Sequence, residues 1–222
     1  MYRRLSKLNM LKIKSFTFNP FEENTYVISD ESSECIILDP GCYSIEEKRE
    51  LESYIFSNKL KPVKILLTHA HIDHILGNNF ITGKYGIPIQ MSSIETPLLK
   101  AAPEYGKMWG IETEPSPDPE LFVQEGIEIK FGDSVLKTIF TPGHSAGSFS
   151  YYHEESKNLF SGDVLFMQSI GRTDLPGGDY ETLIRSIKEK LFRLDDDVTV
   201  YSGHGPSTTL GEERRSNPFL TD

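Results

Sequence analysis

The sequence predicts a mixed α/β protein whose polar chemistry lies along one rim of a sheet assembly. Residues 63–67 form a continuous apolar, partly β-branched run, which is typical of a strand buried on both faces. Helical patterns alternate with strand patterns in the first half of the chain, and a second series of strands follows a long irregular stretch. Four strand-like runs each lead into a histidine or an aspartate just past their ends. We therefore expect the functional residues at strand termini.

The first half of the chain is predicted to contain strands joined by helices. Residues 11–18 alternate between polar and apolar side chains, as in a half-exposed strand. Ser44 and Glu47 have the spacing of a capping box, which predicts a helix that continues to about Asn58. The other predicted elements are strands at residues 24–29, 35–38, 63–67 and 87–91, and a helix from Asp73 to about Lys84.

Residues 92–122 are predicted to be an insertion that forms a lid or binding loop. The pattern is helical to about Ala102, and the proline-rich residues 115–119 are irregular. Long irregular insertions in compact domains are often functional, although a solvated surface excursion explains this composition equally well. Met108 and Trp109 lie here, and we expect them to form an apolar wall over the site. Packing against the core is the alternative.

The second half returns to strands and continues to the end of one predicted domain. Strands are predicted at residues 127–131, 135–140, 149–152, 159–160 and 198–201, with a helix from Asp179 to about Leu194 and a short helix within residues 208–217. We expect a single domain over residues 10–222. Residues 1–9 are predicted to be a flexible extension.

Composition excludes several classes of protein. Acidic residues number 33 and basic residues 23, and the resulting net charge of −10 argues against a nucleic-acid binder. No apolar stretch approaches the length of a membrane span, and residues 1–9 lack the apolar core of a secretory signal. Cys35 and Cys42 are too few for a disulfide framework and predict free thiols in a reducing compartment. We expect a cytoplasmic protein that acts on a small molecule, with the oligomeric state left open.

One short stretch, residues 68–74, holds a cluster of histidines. Residues two apart in an extended segment point the same way, so His69 and His71 can converge on one ion. Asp73 and His74 follow one turn later and face a different direction, which provides a second ligand set. Burying these groups without a cation would cost desolvation free energy that no other interaction offsets. Imidazole together with carboxylate predicts zinc or a neighbouring transition metal.

Three further ionisable residues follow strand-like runs, each beside a glycine. They are His144, Asp163 and His204. Glycine lets the backbone turn sharply and approach other groups closely. The remaining histidine, His153, lies in a predicted hairpin turn, where we expect it to be solvated.

These motifs, in this order, resemble the five motifs of the metallo-β-lactamase superfamily. They are Asp39-Pro40-Gly41, Thr-His-Ala-His-Ile-Asp-His at residues 68–74, Thr-Pro-Gly-His at 141–144, Ser-Gly-Asp at 161–163 and Gly-His-Gly at 203–205. The resemblance covers nearly the whole chain from Met10. It implies a four-layer αβ/βα sandwich, with two mixed β-sheets packed face to face and helices outside. Residues 161–166 and 171–174 are similar to the glyoxalase II and persulfide dioxygenase branch, and residues 203–209 to the short glyoxalase II-like hydrolases.

The resemblance also implies a site for two divalent metal ions. His69, His71 and His144 would bind one ion. The second would be bound by Asp73, His74 and His204, and Asp163 would bridge the two. Zinc is the expected metal, with iron or manganese as alternatives, because sites of histidine and aspartate accept all three. A hydroxide bridging the metals would attack a carbonyl carbon, with Asp73 as the catalytic residue that orients it.

The implied function is hydrolysis of a thioester, S-acylglutathione or a related compound, by a glyoxalase II-like enzyme. The alternatives are a mono-iron oxidoreductase similar to the persulfide dioxygenases and a hydrolase of another ester or a lactone. Full-length glyoxalase II enzymes continue into a helical domain with basic contacts to glutathione, whereas only a short stretch follows His204 here, so glutathione is left open as part of the substrate. Arg172 could contact an anionic group of the substrate, and a salt bridge to Asp174 is the alternative.

Overall fold

The computed structural model describes residues 10–221, and the first half of the chain forms a six-stranded sheet. The predicted flexible extension, residues 1–9, lies outside the described residues. The strands follow one another across the sheet in chain order. Their bounds are Lys12–Phe18 (β1), Glu23–Ser29 (β2), Glu34–Leu38 (β3), Lys61–Leu66 (β4), Ile89–Ser92 (β5) and Leu121–Val123 (β6).

Three helices, Ile45–Ser57 (α1), Asn78–Tyr85 (α2) and Thr96–Trp109 (α3), lie between the strands of this sheet in the chain. Strands β1 to β3 pair antiparallel, and β3 to β6 pair parallel. Parallel neighbours need a long crossover connection, which the helices provide. The predicted capping box at the start of α1 is confirmed, because Ser44 accepts from the Glu47 N–H and the Glu47 carboxylate accepts from the Ser44 N–H.

The second half of the chain forms another six-stranded sheet. Its strands are Glu128–Phe131 (β7), Ser134–Phe140 (β8), Phe149–His153 (β9), Asn158–Gly162 (β10), Thr199–Ser202 (β13) and Thr208–Thr209 (β14). Their order across the sheet is β14-β13-β10-β9-β8-β7. A separate two-stranded ribbon consists of Leu165–Phe166 (β11) and Ser169–Ile170 (β12), and the helices are Tyr180–Glu189 (α4) and Leu210–Ser216 (α5). Strands β10 and β13 pair parallel, and the other pairs of this sheet are antiparallel.

Three apolar clusters hold the layers together. Leu51 of α1 packs in a cluster on one face of the first sheet. Ile36 of the first sheet and Phe160 of the second share a cluster between the two sheets. Leu183 of α4 packs with Val200 on the far face of the second sheet. The expected four-layer sandwich, two mixed sheets with helices outside, is confirmed.

The helix predicted from Asp73 begins later. Residues Ile72–His74 form a single 3-10 turn, and α2 starts at Asn78. Gly77 donates its N–H to the Pro40 carbonyl at 2.7 Å, and this close contact fixes the chain before the helix begins.

Helix α3 continues past the predicted end at Ala102 to Trp109. It contains Pro103, which by itself disfavours a helix interior. Leu99, Ala102 and Gly106 are buried along one side of α3, and this packing stabilises the helix in spite of the proline.

His153 is buried, so the expectation of a solvated side chain is wrong. Strand β9 extends to this residue, which pairs with Asn158 of β10. The ring nitrogen Nδ1 lies 2.6 Å from the Ser156 hydroxyl, and burial lowers the pKa of the imidazole. Because His153 is paired within the sheet, its ring is buried, whereas the hairpin turn assigned from the sequence predicted an exposed ring.

The two cysteines are free thiols, as predicted. Burial raises the pKa of both Cys35 and Cys42 to about 12, which keeps them protonated and poorly nucleophilic. None of the helices in residues 10–221 is long and apolar enough to cross a membrane.

We predict that Asp30→Asn destabilises the fold by about 1–3 kcal/mol at neutral pH. The Asp30 carboxylate accepts hydrogen bonds from Ser32 in its own turn, from Asp133 in the turn before β8 and from Ser134 at the start of β8, so it joins the two sheets. Burial by itself would raise the pKa of Asp30, but these hydrogen bonds lower it. The stabilisation is therefore present above the unfolded pKa, about 3.9, and is lost as the pH falls through the lower folded pKa.

Chemical denaturation across a pH series checks this prediction. The difference between wild type and Asp30→Asn should shrink in acid, and Glu31→Gln, at an exposed position beside it, should change little at any pH. Equal free energies of unfolding for wild type and Asp30→Asn at neutral pH would contradict it.

Candidate metal centre

The loop after β4 carries three histidines of the site, and Asp39 fixes the start of this loop. Asp39 follows β3, the parallel neighbour of β4, so both strands end at the same edge. One carboxylate oxygen of Asp39 accepts from the Thr68 N–H at 2.7 Å, and the other accepts from the Thr68 hydroxyl at 2.6 Å. The backbone is thereby held directly before His69, whose side chain is buried.

His69, His71 and His144 meet with their ring nitrogens almost in contact. His144 Nε2 lies 2.8 Å from His71 Nδ1 and 3.2 Å from His69 Nε2. His144 Nδ1 lies 2.8 Å from the Arg172 carbonyl oxygen, so it is the protonated nitrogen, and Nε2 keeps its lone pair. We call these three histidines the first group.

The tautomer of His69 follows from its neighbours. The Thr68 hydroxyl gives its proton to Asp39, so its oxygen accepts from His69 Nδ1, 3.0 Å away. His69 Nε2 therefore also keeps its lone pair, which faces the lone pair of His144 Nε2. Two such lone pairs repel each other unless a cation lies between them.

Asp73, His74 and His204 form the second group. Asp73 Oδ2 lies 3.1 Å from His204 Nε2 and 3.6 Å from His74 Nε2. His74 Nδ1 lies 3.1 Å from Asp39 Oδ2, and His204 Nδ1 lies 3.2 Å from the Glu22 carbonyl oxygen. Each outer nitrogen has an oxygen acceptor, an arrangement that orients the inner nitrogen of a metal-binding histidine.

Asp163 lies between the two groups. It follows β10, and its Oδ1 is 3.4 Å from His74 Nε2 of the second group. Its Oδ2 is 3.5 Å from both His144 Nε2 of the first group and His204 Nε2 of the second. One carboxylate thus faces both groups, which is the position predicted for a bridging ligand.

Two glycines permit this close approach. A Cβ atom at Gly203 would lie 2.0 Å from Asp163 Oδ1 and 2.8 Å from a ring carbon of His74. A Cβ atom at Gly171 would lie 1.9 Å from the Asp163 carbonyl oxygen. Any larger residue at either position would displace the carboxylate or its backbone.

Two histidines of the first group, His69 and His71, are held in the neutral form that binds metal. Burial lowers the pKa of His69 well below its ordinary value, and the neighbouring His74, His71 and His144 lower it further. Burial and the adjacent His144 lower the pKa of His71 to about 3. Metal ions compete with protons for imidazole lone pairs, so these low pKa values favour metal binding.

The second group, together with Asp163, favours positive charge. Burial by itself would raise the pKa of Asp163, but His74 and His204 hold it well below its ordinary value. Burial would lower the pKa of His74, but Asp73 and Asp163 raise it well above its ordinary value. Against burial, hydrogen bonds to Asp163 and Asp73 raise the pKa of His204 to about 10. The carboxylates therefore favour a cation here, either a proton or a metal ion.

Both groups fit metal ions. The ligand atoms within each group lie within 4.8 Å of one another. Among the described residues, the buried atoms His74 Nε2 and Asp163 Oδ1 have no hydrogen-bond partner. Neutral imidazole and ionised carboxylate suit zinc, iron or manganese. The structure brings all seven predicted ligands together, and their binding of two ions stays a prediction.

Sequence reasoning did not assign a role to Asp39 beyond its motif, and it missed Glu95. Asp39 lies near His69 and His74 with ligand-like spacing, but its oxygens already accept from Thr68 and face His74 Nδ1. It therefore positions His74. The sequence places it in the first motif, which was the available signal.

Glu95 ties the two loops of the first group together. It lies in the predicted insertion, directly before α3, and its side chain is buried. Its Oε2 accepts from the Ala70 N–H at 3.0 Å, between His69 and His71. Its Oε1 accepts from the Ser145 hydroxyl at 2.9 Å and the Gly147 N–H at 2.7 Å, next to His144. No local pattern marks this role in the sequence.

The hairpin of β1 and β2 anchors the loop that carries His204. Asn24 donates its N–H to the Gly203 carbonyl at 2.7 Å and its side-chain amide to the Gly205 carbonyl at 2.8 Å. The Tyr26 hydroxyl donates to the Ser202 carbonyl at 2.6 Å. The second group thus depends on contacts between segments far apart in the sequence.

A cavity of about 530 Å³ opens over the two groups. Asp73, Asp163 and His204 lie in its lining, as do Arg172 and Trp109 among the predicted substrate contacts. The guanidinium of Arg172 makes two hydrogen bonds of 2.7 Å to Asp174. Met108 is 78% exposed and is not part of the lining.

Comparison with family models matches residues 18–204 to the metallo-β-lactamase superfamily. "Probable metallo-hydrolase YqgX" of Bacillus subtilis is 42% identical over 213 residues, which cover 95% of this chain and 98% of that protein. "Hydroxyacylglutathione hydrolase GloC" of Haemophilus influenzae is 36% identical over 212 residues, with the same two coverages.

Two solved structures are similar over nearly their whole length. The crystal structure of BLEG-1 B3 metallo-β-lactamase has a TM-score of 0.88 and 37% identity, and the match covers 95% of this chain and all of that one. The crystal structure of TTHA1623 in a di-iron-bound form has a TM-score of 0.84 and 36% identity, with coverages of 93% and 100%.

The fold and the histidine–carboxylate centre define a metallo-hydrolase. The chain belongs to the metallo-β-lactamase superfamily.

We predict that Glu95→Gln weakens metal retention by about 10- to 100-fold, the usual effect of changing a residue that orients metal ligands. The amide can accept hydrogen bonds through one atom only, so either the Ala70 contact or the contacts to Ser145 and Gly147 are lost. Competition with a chromophoric chelator measures the change. Glu104→Gln, an exposed substitution on α3, is the control and should retain metal like wild type. Equal retention by both variants would contradict the role of Glu95.

Proposed function

We propose that the protein is a metal-dependent hydrolase of thioesters, of the glyoxalase II-like type. The observation that carries the proposal is the position of Asp163 between the first and second groups, in the lining of a cavity. The similarity to the Haemophilus influenzae hydroxyacylglutathione hydrolase over nearly the whole chain supports this reaction class. Zinc is the proposed metal, and the di-iron form of TTHA1623 makes iron the principal alternative.

Two bound cations would supply a water of lowered pKa and would polarise a substrate carbonyl. The protein contributes the orientation of the reacting groups. His69 and His144 are held by Thr68 and by the Arg172 carbonyl, so their inner nitrogens point to one place without rearrangement. Rigid ligands of this kind avoid the cost of reorganisation during the reaction.

Asp73 is the proposed catalytic residue. It lies in the cavity lining, and His204 and His74 hold the pKa of its carboxylate below the ordinary value against the effect of burial. An ionised carboxylate here can accept a hydrogen bond from the attacking water and orient its lone pair towards the carbonyl carbon. The leaving thiol has a pKa of about 8.5, so it can depart as a thiolate without a proton donor.

Metal analysis of the purified protein, together with hydrolysis assays, tests this proposal. S-lactoylglutathione and simple acyl thioesters should be hydrolysed by a protein that carries two metal ions per chain, and removal of the metals should abolish the activity. The panel should also contain lactones, a β-lactam and a persulfide with oxygen measurement. Oxygen uptake with the persulfide by a mono-iron protein, without thioester hydrolysis, would establish the oxidoreductase alternative instead.

We predict that Asp163→Ala loses metal and activity together. Asp163 faces both groups, so its removal should lower turnover strongly. The expected loss is larger than the 10- to 100-fold that is typical of residues that only orient metal ligands. Metal content by atomic emission and thioester turnover are the measurements. Asp118→Ala, an exposed substitution in the stretch after α3, should keep both properties. Full activity in Asp163→Ala would refute the bridging role.

The proposed setting is the cytoplasm and the proposed partner is a small molecule. Two buried free thiols suit a reducing compartment, and the net charge of −10 disfavours nucleic acid. Cell fractionation followed by detection of the protein would test the location.

A further inference from the structure

The wall of the cavity is apolar and comes from three separate parts of the chain. The turn between β1 and β2 contributes Phe21. Helix α3 contributes Leu98 and Trp109, and the segment from β11 to the start of α4 contributes Phe166 and Leu175. Ligand cavities of this size usually combine an apolar wall with a few convergent polar groups, and here the polar groups are those of the metal centre.

Phe21 and Trp109 form the rim of this wall. Their ring centroids are 6.0 Å apart and their planes meet at 82°, an edge-to-face pair. Trp109 is 58% exposed although it is the largest apolar side chain available, so apolar surface remains in water at the cavity mouth. An apolar group that entered the cavity would cover this surface, which is favourable.

The wall reaches the metal centre directly. The Phe166 ring lies 6.2 Å from the His204 ring, measured between centroids. On the other side, Gly106 of α3 lies so close to Ile72 that an added Cβ would meet the Ile72 side chain at 3.1 Å. Helix α3 is therefore seated on the turn that carries Asp73. A group attached to a carbonyl above Asp73 would lie against this wall.

Outside the metal centre, the cavity offers little positive charge to an anionic substrate. Among the described lining residues, Arg172 is the one lysine or arginine. Its guanidinium is already held by both oxygens of Asp174. A glutathione moiety would bring two carboxylates and one ammonium group, and outside the metal centre only this paired arginine is available in the lining to bind the carboxylates. Outside the metal centre the lining is mainly apolar, so apolar contact is the main interaction that the cavity can make with a substrate.

We infer that the substrate is a thioester with an apolar acyl or alkyl chain, and that this chain packs against the wall of Phe21, Trp109 and Phe166. The inference rests on the proposed thioester hydrolysis for its reactive group and on the cavity lining for its apolar chain. The helix of the 92–122 insertion supplies one side of the binding site.

Two series of substrates test the inference. One varies the acyl chain from acetyl to octanoyl on N-acetylcysteamine, and the other varies the thiol from methyl to octyl with a constant acetyl group. We expect kcat/KM to rise by about two- to four-fold per methylene in one of the series, because the free energy of burying one methylene corresponds to a rate change of this size. The series that rises identifies the side of the thioester that carries the chain. Flat series, or a preference for S-lactoylglutathione over all chains, would overturn the inference.

Fluorescence provides a measurement that does not need turnover. Trp109 is the single tryptophan of the sequence, so its emission reports only on the cavity mouth. The non-hydrolysable thioether S-octyl-N-acetylcysteamine should shift this emission to shorter wavelength in both metal-loaded and metal-free protein, and the S-methyl compound should not. If no thioester is hydrolysed, the reaction class is wrong, and the emission still decides whether the cavity binds apolar chains. An unchanged emission with the octyl compound would overturn the inference.

A pair of phenylalanine variants locates the effect. Phe21→Ala should lower the octanoyl-to-acetyl ratio of kcat/KM by about 5- to 10-fold, because half of the rim pair is removed. Phe56→Ala, an exposed substitution on α1 remote from the cavity, should leave the ratio unchanged. Equal ratios in the two variants would overturn the assignment of the wall.

Discussion

A buried carboxylate surrounded by imidazole nitrogens is the interaction on which the site and the sandwich both depend. Asp163 comes from the second sheet, yet His74, which lies 3.4 Å from it, comes from the first. Neither half of the chain contains a whole group. His144 completes the first group and His204 completes the second, and both come from the second half. The concentrated charge is tolerable only when the two sheets face each other and a cation neutralises it. Function and fold therefore share one electrostatic requirement.

The outer hydrogen bonds explain how so many ionisable groups can be held in one place. The outer nitrogens of three histidines each face an oxygen acceptor: His74 faces Asp39, His144 faces the Arg172 carbonyl and His204 faces the Glu22 carbonyl. These acceptors fix which nitrogen faces inward. Glu95 adds a connection between the loops of the first group. The predicted ligands are thus held in position by the protein's own hydrogen bonds, an arrangement that would favour metal affinity and catalysis.

The sequence was informative where the structural cause is local. The spacing in residues 68–74 and the glycines beside His144, Asp163 and His204 predicted a rim site. The four-layer sandwich was implied by the resemblance of the five motifs to the metallo-β-lactamase superfamily. Features that depend on tertiary packing were not predictable in this way. Helix α3 continues through Pro103 because Leu99 and Gly106 are buried, and His153 is buried because β9 extends to it. The role of Glu95 depends on loops that only the fold brings together.

The anchoring of the His204 loop by the β1–β2 hairpin has a consequence for synthesis of the chain. Asn24 and Tyr26 emerge from the ribosome before their acceptors, the carbonyls of Gly205 and Ser202, which lie 181 and 176 residues further along the chain. Until then, the carboxylates of Asp73 and Asp163 lack His204, one of the two imidazoles that face both of them. During translation the nascent chain therefore carries an incomplete set of charges, and the centre is completed only when the β1–β2 hairpin meets the loop that carries His204.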